Sequence, residues 1–508
     1  MKKDKISRPI KNIVISYLVF GIVWIIFSDS LAGLIIDDIE VYQKFQSLKG
    51  LIYIAVTGAF LYLLLKRNLK ELKKKEEELY YQAYYDSLSS LPNKRALYRD
   101  LSKKISDDSS SFALFYLNLT NIDNLAEIKG YTHGSDLIKK LALTLREKNI
   151  NNHSSSIYSY NYDKFILVFD ELNDKEEIKE TADEILNTIH KLWDSAEIDY
   201  YINIEIGIST YPESGRDVEA LISSAQLAAH NITSDNKNYQ IYEHQMFLDT
   251  LEYENLKRDL RTAIKNEEFE LYYQPKIKSS NNEICSLEAL IRWNHPDLGM
   301  VTPYKFIKIA EETGLIKEIG DWVIENAFKD LLKWQQKYNN EISISVNLSP
   351  IELYDKNKVN KIEKLQQKYK INKNLFEFEI TENALVDNRA NPIEILKELK
   401  DSGFSIALDD FGIGYSSYSH LSRLPLNTLK IDKSFIDRLT DEKNIILIDA
   451  IIKLSHKMKL KVVAEGIETA EQLRIMKDLN CDEIQGYYFY KPLPAGEIEE
   501  ILDKQELN

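Results

Sequence analysis

Residues 404–412, 427–432 and 461–467 read FSIALDDFG, NTLKID and KVVAEGI. In each, a short apolar run closes on charged side chains: the Asp409 and Asp410 pair, Lys430, and Glu465. The same arrangement recurs upstream in FELYYQPK (269–276), CSLEALIRW (285–293), ISISVNLS (342–349) and FEFEIT (376–381), which carry Gln274, Glu288, Asn347 and Glu379. It recurs once downstream in IQGYYFY (484–490), with Gln485. Helix-patterned sequence separates the runs. Eight strand and helix units in series predict a closed (β/α)8 barrel of the TIM type, a fold that gathers its chemistry where the strands end. Five carboxylates, an Asn amide and a Lys are then expected at one mouth. Barrel interiors are otherwise filled by branched apolar residues, so a purely structural ion pair is the weaker reading.

A chain of 508 residues is too long for one core and suggests about three domains. Its net charge of -15 is uneven: residues 1–75 hold 13 Lys and Arg against 6 Asp and Glu. A basic, apolar front on an acidic body points to a membrane anchor and away from DNA or RNA. Two apolar stretches, about 13–36 and 48–65, are each long enough to span a bilayer. Lys2, Lys3, Lys5, Arg8 and Lys11 precede the first, and Lys66, Arg67, Lys70 and Lys73 to Lys75 follow the second. The connecting loop, 37–47, carries Asp37, Asp38 and Glu40, so the charge rule puts both termini in the cytoplasm of a two-span inner-membrane protein. Cleavage after Ser30-Leu31-Ala32 is the competing reading, and it would export the basic segment against that rule. Cys285 and Cys481 match no metal spacing and read as reduced core thiols.

After the hairpin (1–66), residues 67–84 read as a helical linker in which Leu65, Leu69, Leu72, Leu79 and Ala83 keep a 4,3 spacing. That pattern fits a short coiled coil between protomers or a plain extension of the second span. Residues 85–245 alternate strand candidates FALFYLNL, IYSYN, KFILVF and YYINIEIGIS with helix patterns. Here the sequence resembles the GGDEF diguanylate cyclase domain, an α/β nucleotidyl cyclase palm, through YDSLSSLPNKRAL (85–97), GYTHGSDLI (130–138) and IGISTYPESG (206–215). The signature pentapeptide is replaced by Asn161-Tyr162-Asp163-Lys164-Phe165, without either glycine. Against the family pattern, Asn118 replaces a metal-binding Asp, Ala126 and Ser135 replace guanine readers, and Thr233 replaces a phosphate-binding Lys. The inhibitory RxxD is absent at Asn152 to Ser155. A lone Asp163 beside Lys164 makes a poor divalent-ion site. The resemblance therefore implies a degenerate, inactive cyclase domain kept for packing or dimerisation, with residual GTP binding the weaker alternative.

Residues 250–508 resemble the EAL family of cyclic di-GMP phosphodiesterases. The matching segments occur in order: YYQPKI (272–277), LEALIRWNHPDLG (287–299), FIKIAEETGLI (306–316), SVNLSP (345–350), FEITEN (378–383), LDDFGIGYSS (408–417), LKID (429–432), VVAEGIET (462–469) and QGYYFYKPLP (485–494). Glu288, Asn347, Glu379 and Asp409 offer only oxygen ligands, which suit Mg²⁺ or Mn²⁺ better than softer metals. Asp410 and Glu465 are candidates to hold a second ion, with Asp409 bridging. Two such ions suit in-line displacement at phosphorus. The resemblance gives Lys430 the attacking water, Glu465 a metal-linked or general-base role, and Gln274 and Arg292 the phosphate and base. It sets Gln485 near the metals and Glu382 as the anchor of the loop that turns at Gly412 and Gly414. It also implies a homodimer. Ile413 stands where the family has Thr, which puts the turnover rate in question. The expected activity is opening of cyclic di-GMP to linear pGpG, with a non-catalytic cyclic di-GMP receptor as the rival.

Overall fold

The computed structural model describes residues 4–35, 39–107, 111–122, 131–148, 150, 153, 155–195, 202–232, 238–338, 342–385, 392–412 and 423–506. Ala126, Asn152, Thr233, Ile413 and Gly414 lie outside the described residues. The chain divides into two units, Met1–Leu248 and Asp249–Asn508.

Two helices open the first unit: α1 (Asp4–Ile35) and α2 (Ile39–Tyr84). Within them, Lys11–Ser28 and Leu48–Tyr84 are long and apolar enough to cross a membrane. The helices meet through rings, Phe20 against Phe60 at 4.6 Å and Trp24 against Tyr53 at 6.4 Å. Ile15, Val23, Phe27, Leu51, Ile54 and Leu63 remain exposed. The segment 37–47, expected as a loop, is helical from Ile39 onward. It contains neither Gly nor Pro, so its polarity alone does not break the helix. α2 then continues unbroken to Tyr84, carrying the i,i+4 pairs Arg67–Glu71 and Lys74–Glu78.

The rest of this unit is a five-stranded sheet in the order β2-β3-β1-β4-β5. Its strands are β1 (Phe112–Thr120), β2 (Ser155–Asn161), β3 (Lys164–Asp170), β4 (Asn203–Tyr211) and β5 (Tyr239–Ile241). All pairings are antiparallel except β4 with β5. Alternate residues face opposite layers: Phe115, Leu117, Phe165 and Phe169 join one core, and Phe112, Leu114, Ile166 and Val168 the other. β5 was not anticipated, because three residues are too few to show a period. A Cβ at Gly207 would lie 1.8 Å from the Ala225 carbonyl oxygen, so only glycine lets helix Val218–His230 pack this close on β4.

The second unit is an eight-stranded α/β barrel. Its strands are β6 (Phe269–Lys278), β7 (Ile284–His295), β9 (Ser343–Asn347), β10 (Phe376–Thr381), β11 (Ser405–Phe411), β12 (Thr428–Ile431), β13 (Lys461–Ala464) and β14 (Glu483–Ile484). Short β8 (Gly299–Val301) and β15 (Leu493–Pro494) flank β7 and β6. Two expectations are corrected here. A hairpin, not a helix, joins β6 to β7, so β6 runs antiparallel to β7 and to β14 while the other barrel neighbours are parallel. The Ser279-Ser280-Asn281-Asn282-Glu283 connection is a polar turn too short for a crossover helix, with Asn282 at φ +63°. Gln274 consequently sits in mid-strand, opposite Glu288. The IQGYYFY run is strand only to Ile484, and Gln485 begins the turn that follows.

Candidate active site

Lys430 is the centre of the constellation. It is 1% exposed, and its Nζ lies 2.5 Å from Glu379, 2.6 Å from Glu465, 3.1 Å from Asp409 and 3.6 Å from Glu288. Register explains the gathering. Glu379 aligns with Asn347 across β9–β10, and β13 ends one residue before Glu465, so side chains from successive parallel strands arrive at one level.

Asp409 and Asp410 are consecutive, and consecutive strand residues normally face opposite sides. A bulge between Leu408 and Phe411 removes that constraint, with Asp410 at φ +54° and its N–H donating to Asp409 Oδ1 at 2.9 Å. Oxygen atoms of Asp409, Asp410 and Glu465 consequently lie within 4.8 Å of one another. Beyond the bulge, Gly412 adopts φ +102°, and its N–H donates to Glu382 Oε2 at 3.3 Å.

Glu288 is held by amides: Asn347 Nδ2 donates to Oε1 at 2.8 Å, and Gln485 Nε2 to Oε2 at 2.7 Å. Gln485 Nε2 also donates to Gln274 Oε1 at 3.0 Å, and Gln274 donates to the Tyr490 carbonyl at 3.1 Å. Gln485 Oε1 is buried with no hydrogen-bond partner among the described residues. An orphaned buried acceptor beside a carboxylate cluster suits an incoming cation or donor, so the residues present fit a hard divalent ion. Arg292 is half-buried on β7, its guanidinium 5.4 Å from the Tyr272 ring centre and donating to the Ile291 carbonyl at 2.9 Å. A cavity of about 320 Å³ opens over Gln274, Glu288, Asp409, Lys430, Glu465 and Gln485, and Lys433, Glu468 and Tyr487 also line it. Arg292 stands outside that lining.

Crowded acids in a buried site resist ionisation. Burial, reinforced by the neighbouring carboxylates and opposed by Lys430, pushes the Asp409 carboxyl up to about 6 and that of Glu465 up to about 8. Glu379 moves the other way. Burial would raise it, but the Lys276 and Lys430 ammonium groups hold it at about 2. Sequence reading missed Lys276 among the site residues. A lysine inside the apolar run FELYYQPK was the available signal, since a charge in a barrel strand needs a partner.

In the first unit, Asp163 occupies the turn between β2 and β3 and pairs with Lys164 at 3.8 Å. Asn118 Nδ2 donates to Glu205 Oε2 at 2.9 Å, and Ser135 lies on helix Tyr131–Glu147.

An eight-stranded α/β barrel with an oxygen-rich acidic centre at its strand ends, accompanied by a palm-type α/β sheet and two apolar helices, defines the class. The EAL domain model matches residues 257–492, and the diguanylate cyclase GGDEF domain model matches residues 83–239. The chain is a GGDEF plus EAL domain protein, homologous to cyclic di-GMP phosphodiesterases. It is 31% identical to cyclic di-GMP phosphodiesterase NbdA of Pseudomonas aeruginosa, over 85% of this chain and 56% of that one. It is 30% identical to the bifunctional diguanylate cyclase/cyclic di-GMP phosphodiesterase MucR of the same organism, over 84% of this chain and 63% of MucR. The solved PaMucR phosphodiesterase in its c-di-GMP complex is 36% identical over 48% of this chain and 99% of that one, with a TM-score of 0.46. The chain thus spans between 56% and 63% of the length of these curated relatives.

Proposed function

We propose that this protein is a membrane-anchored phosphodiesterase that hydrolyses cyclic di-GMP to linear pGpG. The observation that carries the reading is the Lys430 ammonium set among Glu288, Glu379, Asp409 and Glu465 at the barrel mouth. Glu288, Asn347, Glu379, Asp409, Asp410 and Glu465 would hold two Mg²⁺ or Mn²⁺ ions. When bound, these supply Lewis acidity toward the scissile phosphate and lower the pKa of water. Lys430 keeps its proton, because the carboxylates around it outweigh the cost of burial, and it orients the attacking water through Nζ. Glu465, whose carboxylate lies 2.6 Å from the Lys430 ammonium, would accept that water's proton. Gln274 and Gln485 fix the orientation of Glu288, and Arg292 at the rim would meet a phosphate or a guanine edge.

In this reading, the apolar helices anchor the protein in the inner membrane with both termini cytoplasmic. The GGDEF domain, with Tyr162 at its signature turn and Asn118 bonded to Glu205, makes no cyclic di-GMP and serves a homodimer as a regulatory or dimerisation module, with GTP as a weaker candidate ligand. The domain limits adopted are 1–66, 67–84, 85–245 and 250–508.

The test is hydrolysis of cyclic di-GMP by the detergent-solubilised chain with Mg²⁺ or Mn²⁺, beside Glu288→Ala and Glu465→Ala. Linear pGpG from the parent and none from the variants is expected. Tight binding of cyclic di-GMP without product would make the protein a receptor instead.

A further inference from the structure

The barrel interior below the carboxylate ring is charged where branched apolar packing is the norm. Lys276 on β6 is 1% exposed, and its Nζ contacts Glu379 Oε1 at 2.5 Å and Ser345 Oγ at 2.9 Å. Glu379 is fully buried, and Lys430 takes its other oxygen, Oε2. Each carboxylate oxygen therefore has its own ammonium, one from below and one from the mouth side. Ser345 is itself fully buried on β9, two residues before Asn347, and it fixes where the Lys276 ammonium can sit. The antiparallel course of β6 is what delivers Lys276 to this level, since Gln274 pairs with Glu288 and Lys276 with Ser286, one step deeper.

We propose that Lys276 is a positioning residue that retains Glu379 Oε1 and so leaves only Oε2 to face the active site. Lys430 is shared among four carboxylates and can yield Glu379 Oε2 to an incoming cation. Among the described residues Glu379 is the one carboxylate within ion-pair distance of Lys276, which stays on Oε1. Glu379 then acts as a single-oxygen donor of fixed direction, and the fixed positive charge beneath it weakens cation attraction in exchange for geometry. The kinetic part of this inference rests on the phosphodiesterase reading; the cation-binding part does not.

The test compares Lys276→Met, Lys276→Arg and Ser345→Ala in the full chain, by calorimetric titration with Mn²⁺ alone and by steady-state hydrolysis of cyclic di-GMP. Lys276→Met frees Oε1 and removes a repelling charge. Its Mn²⁺ affinity should equal or exceed that of the parent, while kcat falls by about 10–100-fold, the usual cost of losing a supporting partner of a ligand, and KM stays within about 2-fold. Lys276→Arg should restore part of kcat, and Ser345→Ala should shift both quantities in the direction of Lys276→Met by less. Unchanged kcat in Lys276→Met, or Mn²⁺ affinity and kcat falling together, would overturn the proposal, the latter marking Lys276 as a fold residue only. If Lys276→Met does not fold, Lys276→Arg and Ser345→Ala decide the matter by the same split. If the parent itself hydrolyses nothing, the phosphodiesterase reading fails, and a Lys276→Met affinity for Mn²⁺ below that of the parent still overturns the positioning role.

Discussion

Replacing Lys430 by Met retains most of the side-chain stem and deletes one charge, and the consequences can be worked out from its neighbours. The ammonium touches four carboxylates, among them fully buried Glu379 and Asp409 at 8% exposure. Breaking a buried ion pair by removing one partner typically costs about 3–5 kcal/mol, because the remaining charge is stranded in a poorly solvated place. For a unit of this size, about 1 kcal/mol shifts Tm by roughly 2–4 °C, so the barrel of metal-free Lys430→Met should melt about 6–20 °C below the parent. The loss should shrink toward acid pH, where Glu465 and Asp409 can take up protons and no longer repel. Mg²⁺ should recover more stability in the variant than in the parent, since a divalent cation replaces the missing charge, yet turnover should stay at least about 100-fold down. The assay is scanning calorimetry of the full chain in detergent with chelator and then with Mg²⁺, the barrel transition being the one that Mg²⁺ moves. A metal-free variant as stable as the parent would refute the reasoning, because the carboxylates would then need no central cation.

Acids whose folded pKa is raised stay protonated in the fold while the unfolded chain ionises. Asp409 rises from 3.8 to about 6 and Glu465 from 4.5 to about 8, so the metal-free barrel should lose stability as pH climbs through that window. Mg²⁺ affinity should rise over the same range and level off above about 8, with protons released on binding, measured by calorimetry in two buffers of different ionisation heat. Gly412→Ala puts a Cβ 2.5 Å from the Phe435 ring at φ +102° and should cost about 1–3 kcal/mol, read as a lowered barrel Tm. Glu382→Ala removes the acceptor of the Gly412 N–H and should lower kcat with little change in Mn²⁺ affinity; an equal loss in both would show that Glu382 supports the ligands and not the loop.

The barrel was legible because its strand runs carry polar residues that an apolar interior would not tolerate: Asn347, Lys430, Glu465 and Gln485 lie at or next to the ends of their strands, while Gln274 and Glu288 sit in mid-strand. Glu288, Glu379, Asp409, Lys430 and Glu465 could be chosen from their own neighbourhoods, one local run at a time. The apolar helices were equally open to reading, since hydropathy and length are properties of a contiguous stretch. What local pattern could not supply was pairing. The direction of β6 depends on a five-residue turn being too short for a helix, and that direction sets Gln274 opposite Glu288 and sinks Lys276 beneath Glu379. The bulge that brings Asp410 beside Asp409 and Glu465 lies between Leu408 and Phe411, where the β11–β12 register shifts before resuming at Phe411 and Ile431, a pairing that neither strand's own sequence records. Sequence alone determined which charges this protein places in its barrel and in what order they arrive. Tertiary structure decided which of them come within ion-pair or hydrogen-bond reach of one another, because those relations are set by distances between strands that are remote in the chain.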